Sequence, residues 1–162
     1  MRRARLAGGV ALLCAGLLAG AFGYARVCVV PTFNAVPIDV HLTYRIALMD
    51  MNGIFMQAVM GLTIVSSAVW AVVLRGRARW GAAGAGLLAL TALLVTRFGN
   101  VPINGEIRTW AATGLPADYA DRLARWEAWH DVRTVAALAA FVVLLVVTQG
   151  LTTGARQRAA IG

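Results

Sequence analysis

Histidine occurs only at positions 41 and 130, and the second lies in the string RLARWEAWHDVRT, which begins at Arg122. Trp126, Trp129, His130 and Arg133 are spaced i, i+3, i+4, i+7, the pattern that gathers side chains on one face of a helix. An imidazole titrates near neutrality and suits general-base work, a guanidinium stabilises an anion, and indoles stack on a planar ligand while excluding water. An interfacial aromatic belt with a snorkelling arginine uses the same residue types, so the string alone leaves both readings open. Asp131 follows His130 directly and points about 100° away on a helix, so it does not orient that imidazole.

A second string, TRFGNVPINGEIRTW, begins at Thr96. Asn100 and Asn104 stand one turn apart, Arg97 and Arg108 extend their stripe, and Pro102 interrupts it. Amides at such a kink either satisfy backbone groups that proline frees or present donors to a ligand's carbonyl or developing oxyanion. A third segment supplies Asp39, His41, Tyr44, Arg45, Asp50 and Asn52, with His41 and Arg45 one turn apart. The two His belong to different segments with no HxxxH or HxD spacing, so no metal is expected. Met49, Met51, Met56 and Met60 read as core filler rather than copper ligands. Cys14 and Cys28 lie about 21 Å apart on a helix, too far for a disulfide.

The elements that must position these residues follow from composition. Of 162 residues, 60% are hydrophobic and 14% charged, with mean hydropathy +0.73, against roughly 25% charged in a soluble domain. Four apolar stretches, at about 6–25, 53–74, 80–96 and 134–151, approach the length that about 30 Å of hydrocarbon requires. The expected fold is all-α: a single integral membrane domain over 1–162, an antiparallel four-helix bundle. Pro37 with Asp39, and Leu115-Pro116-Ala117-Asp118, read as helix starts, so the second and fourth spans extend past the membrane into a polar cup. Asn52-Gly53 is a candidate interruption, and Gly114 is placed to end the extension of the third span. Gln57, Thr63, Ser66 and Ser67 in the second span read as interhelical hydrogen-bonding groups. A Gly16–Gly20 pair would let another helix, including that of a second copy, approach closely. No internal repeat is evident.

All 15 basic residues are Arg, against 7 acids. Arg2, Arg3, Arg5, Arg75, Arg77, Arg79, Arg156 and Arg158 fall on one side with no acid, and every acid falls on the other. The positive charge is therefore a topology signal: a bacterial-type plasma membrane with both termini cytoplasmic and the cup outside. Nucleic-acid binding has no remaining support. No ionisable residue lies within the four spans, which disfavours a transporter.

The strings TRFGNVPINGEI and RWEAWHDVRT on a short four-span frame resemble the anthrone oxygenase-like integral membrane proteins, and the VVPTF and MDMNGIF segments are similar to that family too. The resemblance bears on Asn100, Pro102, Asn104, Trp129, His130 and Arg133. It implies a membrane-embedded, cofactor-independent oxygenase that oxidises an anthrone-like aromatic polyketide to the quinone with molecular oxygen. On that reading His130 removes the acidic proton, and Asn100, Asn104 and Arg133 stabilise the enolate. Trp126, Trp129, Trp110, Arg97 and His41 bind the substrate. The alternative is a non-catalytic membrane protein that binds a small apolar molecule or a membrane partner.

The charge pattern predicts that Arg75 to Arg79 face the cytoplasm. In a cysteine-free background, a single cysteine at position 77 should resist an impermeant thiol reagent in intact cells and react after lysis. Labelling in intact cells would invert the topology.

Overall fold

The computed structural model describes residues 2–161, with side chains described for residues 3–153; the Arg2, Arg156 and Arg158 of the charge pattern lie outside those side chains. Six α-helices are present: α1 (Arg2–Tyr24), α2 (Val30–Asn34), α3 (Ile38–Val73), α4 (Arg77–Val95), α5 (Val101–Thr113) and α6 (Tyr119–Ile161). Two π-helical segments, Ala25–Val29 and Thr96–Asn100, join α1 to α2 and α4 to α5 without a break. Four rods result, each long and apolar enough to cross a membrane: Arg3–Asn34, Ile38–Val73, Arg77–Thr113 and Tyr119–Thr153. Each overruns its apolar stretch at the polar end. Asn52-Gly53 does not interrupt α3, because the packed rod overrides the low helix propensity of that pair.

Both π segments have the same cause. Pro31 and Pro102 lack an N–H, and their rings crowd the carbonyl one turn back. The chain responds by widening the preceding turn, and the amides of Val30 and Val101 reach back to the carbonyls of Ala25 and Thr96. Pro102 thus produces a π turn rather than the simple kink that its position suggests.

Two of the three reversals between rods are made at a glycine, and the one between α2 and α3 runs through Ala35-Val36-Pro37. Gly76 (φ 63°) starts α4 after a short turn, and Gly114 (φ 94°) ends α5, a backbone region that β-carbon-bearing residues avoid. The rods form a square in which α1 packs on α3 and α6, and α4 packs on the same two helices. Small residues set the spacing: Ala82, Ala85, Ala89 and Ala92 are fully buried along one face of α4. Gly16 lies against Phe141, so its small size serves the fold itself, whereas Gly20 faces open space. Thr63 and Ser66 hydrogen-bond to Val59 and Leu62 of their own helix instead of bridging helices, and Gln57 lines a cavity.

Three apolar layers stack along the bundle. Ala15, Trp70, Ala85 and Leu144 belong to the layer at the arginine-only end, Leu18, Phe22, Met60 and Ala137 to the middle one, and Leu42, Ile107, Trp110 and Leu123 to the one at the polar end. Ion pairs clamp that last end: Arg26 with Asp131, Arg108 with Asp50, and Arg122 with both Glu106 and Asp118. The hydrogen bond from Arg122 holds the Asp118 carboxyl below its usual range. Polar residues occupy the gap between the middle and outer layers.

Candidate active site

Trp126 is the hub of that polar layer. Its indole Nε1 donates to Asn104 Oδ1 (2.7 Å), and its carbonyl accepts from Asn100 Nδ2 (2.9 Å). Asn100 is fully buried. Thus the two asparagines, brought to α6 by the π turn before Pro102, fix both the ring and the backbone of one tryptophan. Asn104 also lines the cavity described below, which Asn100 does not.

Two guanidiniums lie over the Trp126 ring. Arg45 of α3 places its Cζ 4.0 Å from the ring centroid and Arg133 of α6 places its own at 5.3 Å, within cation–π range. Arg133 also sits 4.6 Å over Phe22. Each arginine donates to a histidine: Arg45 Nη1 to His41 Nε2 and Arg133 Nε to His130 Nδ1, both at 3.0 Å. Arg133 Nη1 adds Thr96 Oγ1 at 3.2 Å. Among the described residues neither arginine has a carboxylate partner, and Nε and Nη2 of Arg45, only 3% exposed, have no partner at all.

The His130 ring is 1% exposed and stacks on Trp126, with centroids 5.3 Å apart. A guanidinium only donates, so Nδ1 is the acceptor and the neutral ring carries its proton on Nε2. Nε2 is buried without a partner. In this arrangement His130 therefore offers a hydrogen-bond donor, and the base role that its residue type suggests would require Arg133 to leave Nδ1.

These groups line a cavity of about 430 Å³, within the usual range of small-molecule sites. Phe22, Phe33, Arg45, Trp126, His130 and Arg133 surround its polar part, and Met49, Met56 and Met60 supply flexible apolar wall. Its rim lies between α1 and α3, where Tyr24 and Phe55 are 65% and 58% exposed on the flank of the bundle. A second, shallower pocket at the polar end is lined by His41, Tyr119 and Glu127, with Phe33 shared between the two.

Of the sequence-derived candidates, Trp126, His130, Arg133 and Asn104 meet at the cavity. Trp129 is not on its wall: the indole lies over Gly99, whose missing side chain leaves the room, and is 40% exposed. Trp110 is buried in the outer apolar layer, Arg97 is exposed on the surface, and His41 faces the outer pocket. Asp131 pairs with Arg26, away from the imidazole. Glu127-Ala128-Trp129-His130 carries the E-x-x-H spacing of helical metal sites, but Glu127 accepts from Asn34 and lines the outer pocket while His130 lines the inner one. Arg45, Phe22, Phe33 and Thr96 join the site from outside the candidate set. The His41–Arg45 spacing was a usable signal for the first, and the aromatics carried none.

Replacing Asn100 with Ala removes the one side-chain donor to the Trp126 carbonyl among the described residues. An unmade buried hydrogen bond costs about 1–3 kcal/mol. A lowered melting temperature in detergent and a shifted tryptophan emission should follow. Unchanged values in both would mean that Asn100 does not fix the hub.

The profile of the family described as anthrone oxygenase matches residues 47–143. That range includes both asparagines and Trp126, His130 and Arg133, while His41 and Arg45 precede it. No curated protein and no solved structure is significantly similar to the chain. A match over more than half the sequence, on a helical membrane-type bundle, makes this chain a member of the anthrone oxygenase family.

Proposed function

We propose that the protein is a membrane-embedded, cofactor-independent oxygenase that converts an anthrone-like aromatic polyketide to its quinone with molecular oxygen. One observation carries this reading: an aromatic-lined cavity whose two guanidiniums face it without a carboxylate. Such a site stabilises a flat, delocalised anion.

The chemistry that the site would support balances as follows. The carbon opposite an anthrone carbonyl loses a proton to solvent, leaving an enolate whose charge Arg45, Arg133 and the Nε2–H of His130 stabilise. The electron pair at carbon reduces oxygen and forms a C–O bond, giving a peroxide that takes up a proton. Loss of the second proton from the same carbon breaks the O–O bond and releases water. Anthrone and one O2 become quinone and one water. Trp126, Phe22 and Phe33 supply aromatic wall, and the rim between α1 and α3 suits a substrate dissolved in the bilayer. Guanidiniums beside both imidazoles oppose a metal cation there, so chelation should leave turnover intact.

Oxygen uptake by the purified protein with an anthrone tests the proposal, and the expected stoichiometry is one O2 per quinone. His130→Ala should lower the rate about a hundred- to a thousandfold, the cost typical of losing an oxyanion donor. That loss should persist at high pH, where the substrate ionises unaided; recovery with rising pH would restore the general-base role to His130. No uptake by wild-type protein with any anthrone would favour a non-catalytic binding protein.

A second prediction concerns access. Gly53 lines the cavity and a side chain there meets open space, so Gly53→Trp should fold normally yet raise KM roughly tenfold, equivalent to about 1.4 kcal/mol of binding. Unaltered KM would move the substrate's route away from the α1–α3 rim.

A further inference from the structure

We infer that this cavity holds its ligand in the ionised form: the species it selects is a planar hydroxy-aromatic monoanion, with the charge spread over phenolate and quinone-type oxygens. The inference rests on the proposed reading of the cavity as a substrate site and adds the charge state of what binds.

The charges around the cavity require a counter-ion. Arg45 and Arg133 both line it, and no Asp or Glu does. Of the acids on the surrounding elements, Asp131 pairs with Arg26 and Asp50 with Arg108, while Glu127 accepts from the neutral Asn34 amide on the outer-pocket side, from where its charge acts on Arg45 and His41 without touching either. His41 and His130 accept from Arg45 and Arg133 as neutral rings and leave the positive charge in place. Three donor atoms stay buried without a partner: Nε and Nη2 of Arg45 and Nε2 of His130. A buried cation with unmade hydrogen bonds is costly unless something anionic completes it.

The surroundings choose among anions. A phosphate or carboxylate concentrates its charge and gains most from a polar cradle, whereas these guanidiniums lie over Trp126, Phe22 and Phe33. Aromatic faces beside the cations favour an anion that is itself flat and delocalised. The same field lowers the affinity for the neutral acid relative to its anion, so a bound phenol ionises at lower pH than a free one.

The test uses 1,8-dihydroxyanthraquinone, already at the quinone level and therefore unable to undergo the proposed oxidation, with detergent-purified protein and unsubstituted anthraquinone as the uncharged reference. The visible spectrum distinguishes the phenol from the phenolate. Bound dye should show the phenolate spectrum at least one pH unit below the free dye, a tenfold or greater preference for the anion. Arg45→Gln and Arg133→Gln should each reduce that preference while retaining anthraquinone, which reports that the cavity is intact. A neutral spectrum for dye bound to the wild type overturns the proposal, whatever the variants do. So does an unchanged anion preference in both variants. Displacement of the dye by phosphatidylglycerol or inorganic phosphate at equal concentration would assign the site to a phosphate group and overturn the aromatic identity. Dye binding needs no oxygen, so a protein that binds the anion and consumes none retains this inference while losing the oxygenase reading.

Discussion

Two guanidiniums held against one indole, with no carboxylate in contact with either among the described residues, form the constraint on which the polar half of this bundle depends. Burying an unpaired cation is unfavourable by several kcal/mol after relaxation, and the fold offsets that in ways visible in its side chains. Trp126 offers a π face to both arginines, each histidine offers a ring nitrogen, and Thr96 offers a hydroxyl. The indole must then stay in place, which is what Asn100 and Asn104 achieve. The apolar layers on either side hold the helices in register around this layer.

The arrangement has an internal correspondence that side-chain identity hides. Each half of the chain contains a rod with a π segment ending at Val-Pro, followed after a turn by a longer helix carrying a His–Arg pair. The first half supplies Val30-Pro31 with His41 and Arg45, and the second supplies Val101-Pro102 with His130 and Arg133. The pairs differ in spacing and in what surrounds them, and α5 lengthens the second half, so the linear sequence shows no repeat. In space the second helix of each half contributes one arginine to the same ring.

How much was legible follows from the range of the interactions. Hydropathy length gave the helical bundle, because crossing a bilayer is a property of one segment at a time. Helical periodicity grouped Trp126, His130 and Arg133, again within one segment, but it also admitted Trp129, which Gly99 of another rod draws aside. Arg45 was marked locally only by its spacing from His41; its meeting with a ring in the last third of the chain depends on how α3 packs against α6, and it stood outside the candidate set for that reason. Phe22 and Phe33 look like any aromatic of an apolar stretch. The asparagines were recognised as notable by spacing, yet their hold on Trp126 depends on how α5 meets α6, which no local pattern encodes. The tautomer of His130 likewise depends on which of its nitrogens the guanidinium reaches.

The π segments have a consequence for how such chains diverge. A π turn accommodates one residue more than an α-helical turn of the same hydrogen-bonded ladder. Everything downstream is therefore rotated by about 100° relative to an uninterrupted α-helix. In the rod formed by α4 and α5, the face of small alanines packs inside the bundle before the turn, and Asn100 and Asn104 reach α6 at and after it. A single-residue deletion anywhere in Thr96–Asn100 would leave length, composition and hydropathy almost untouched while swinging Asn104 off its partner. Relatives that differ by one residue at this place would share the membrane frame and not the polar layer, so the presence of that extra residue is a sharper mark of a shared site than overall similarity.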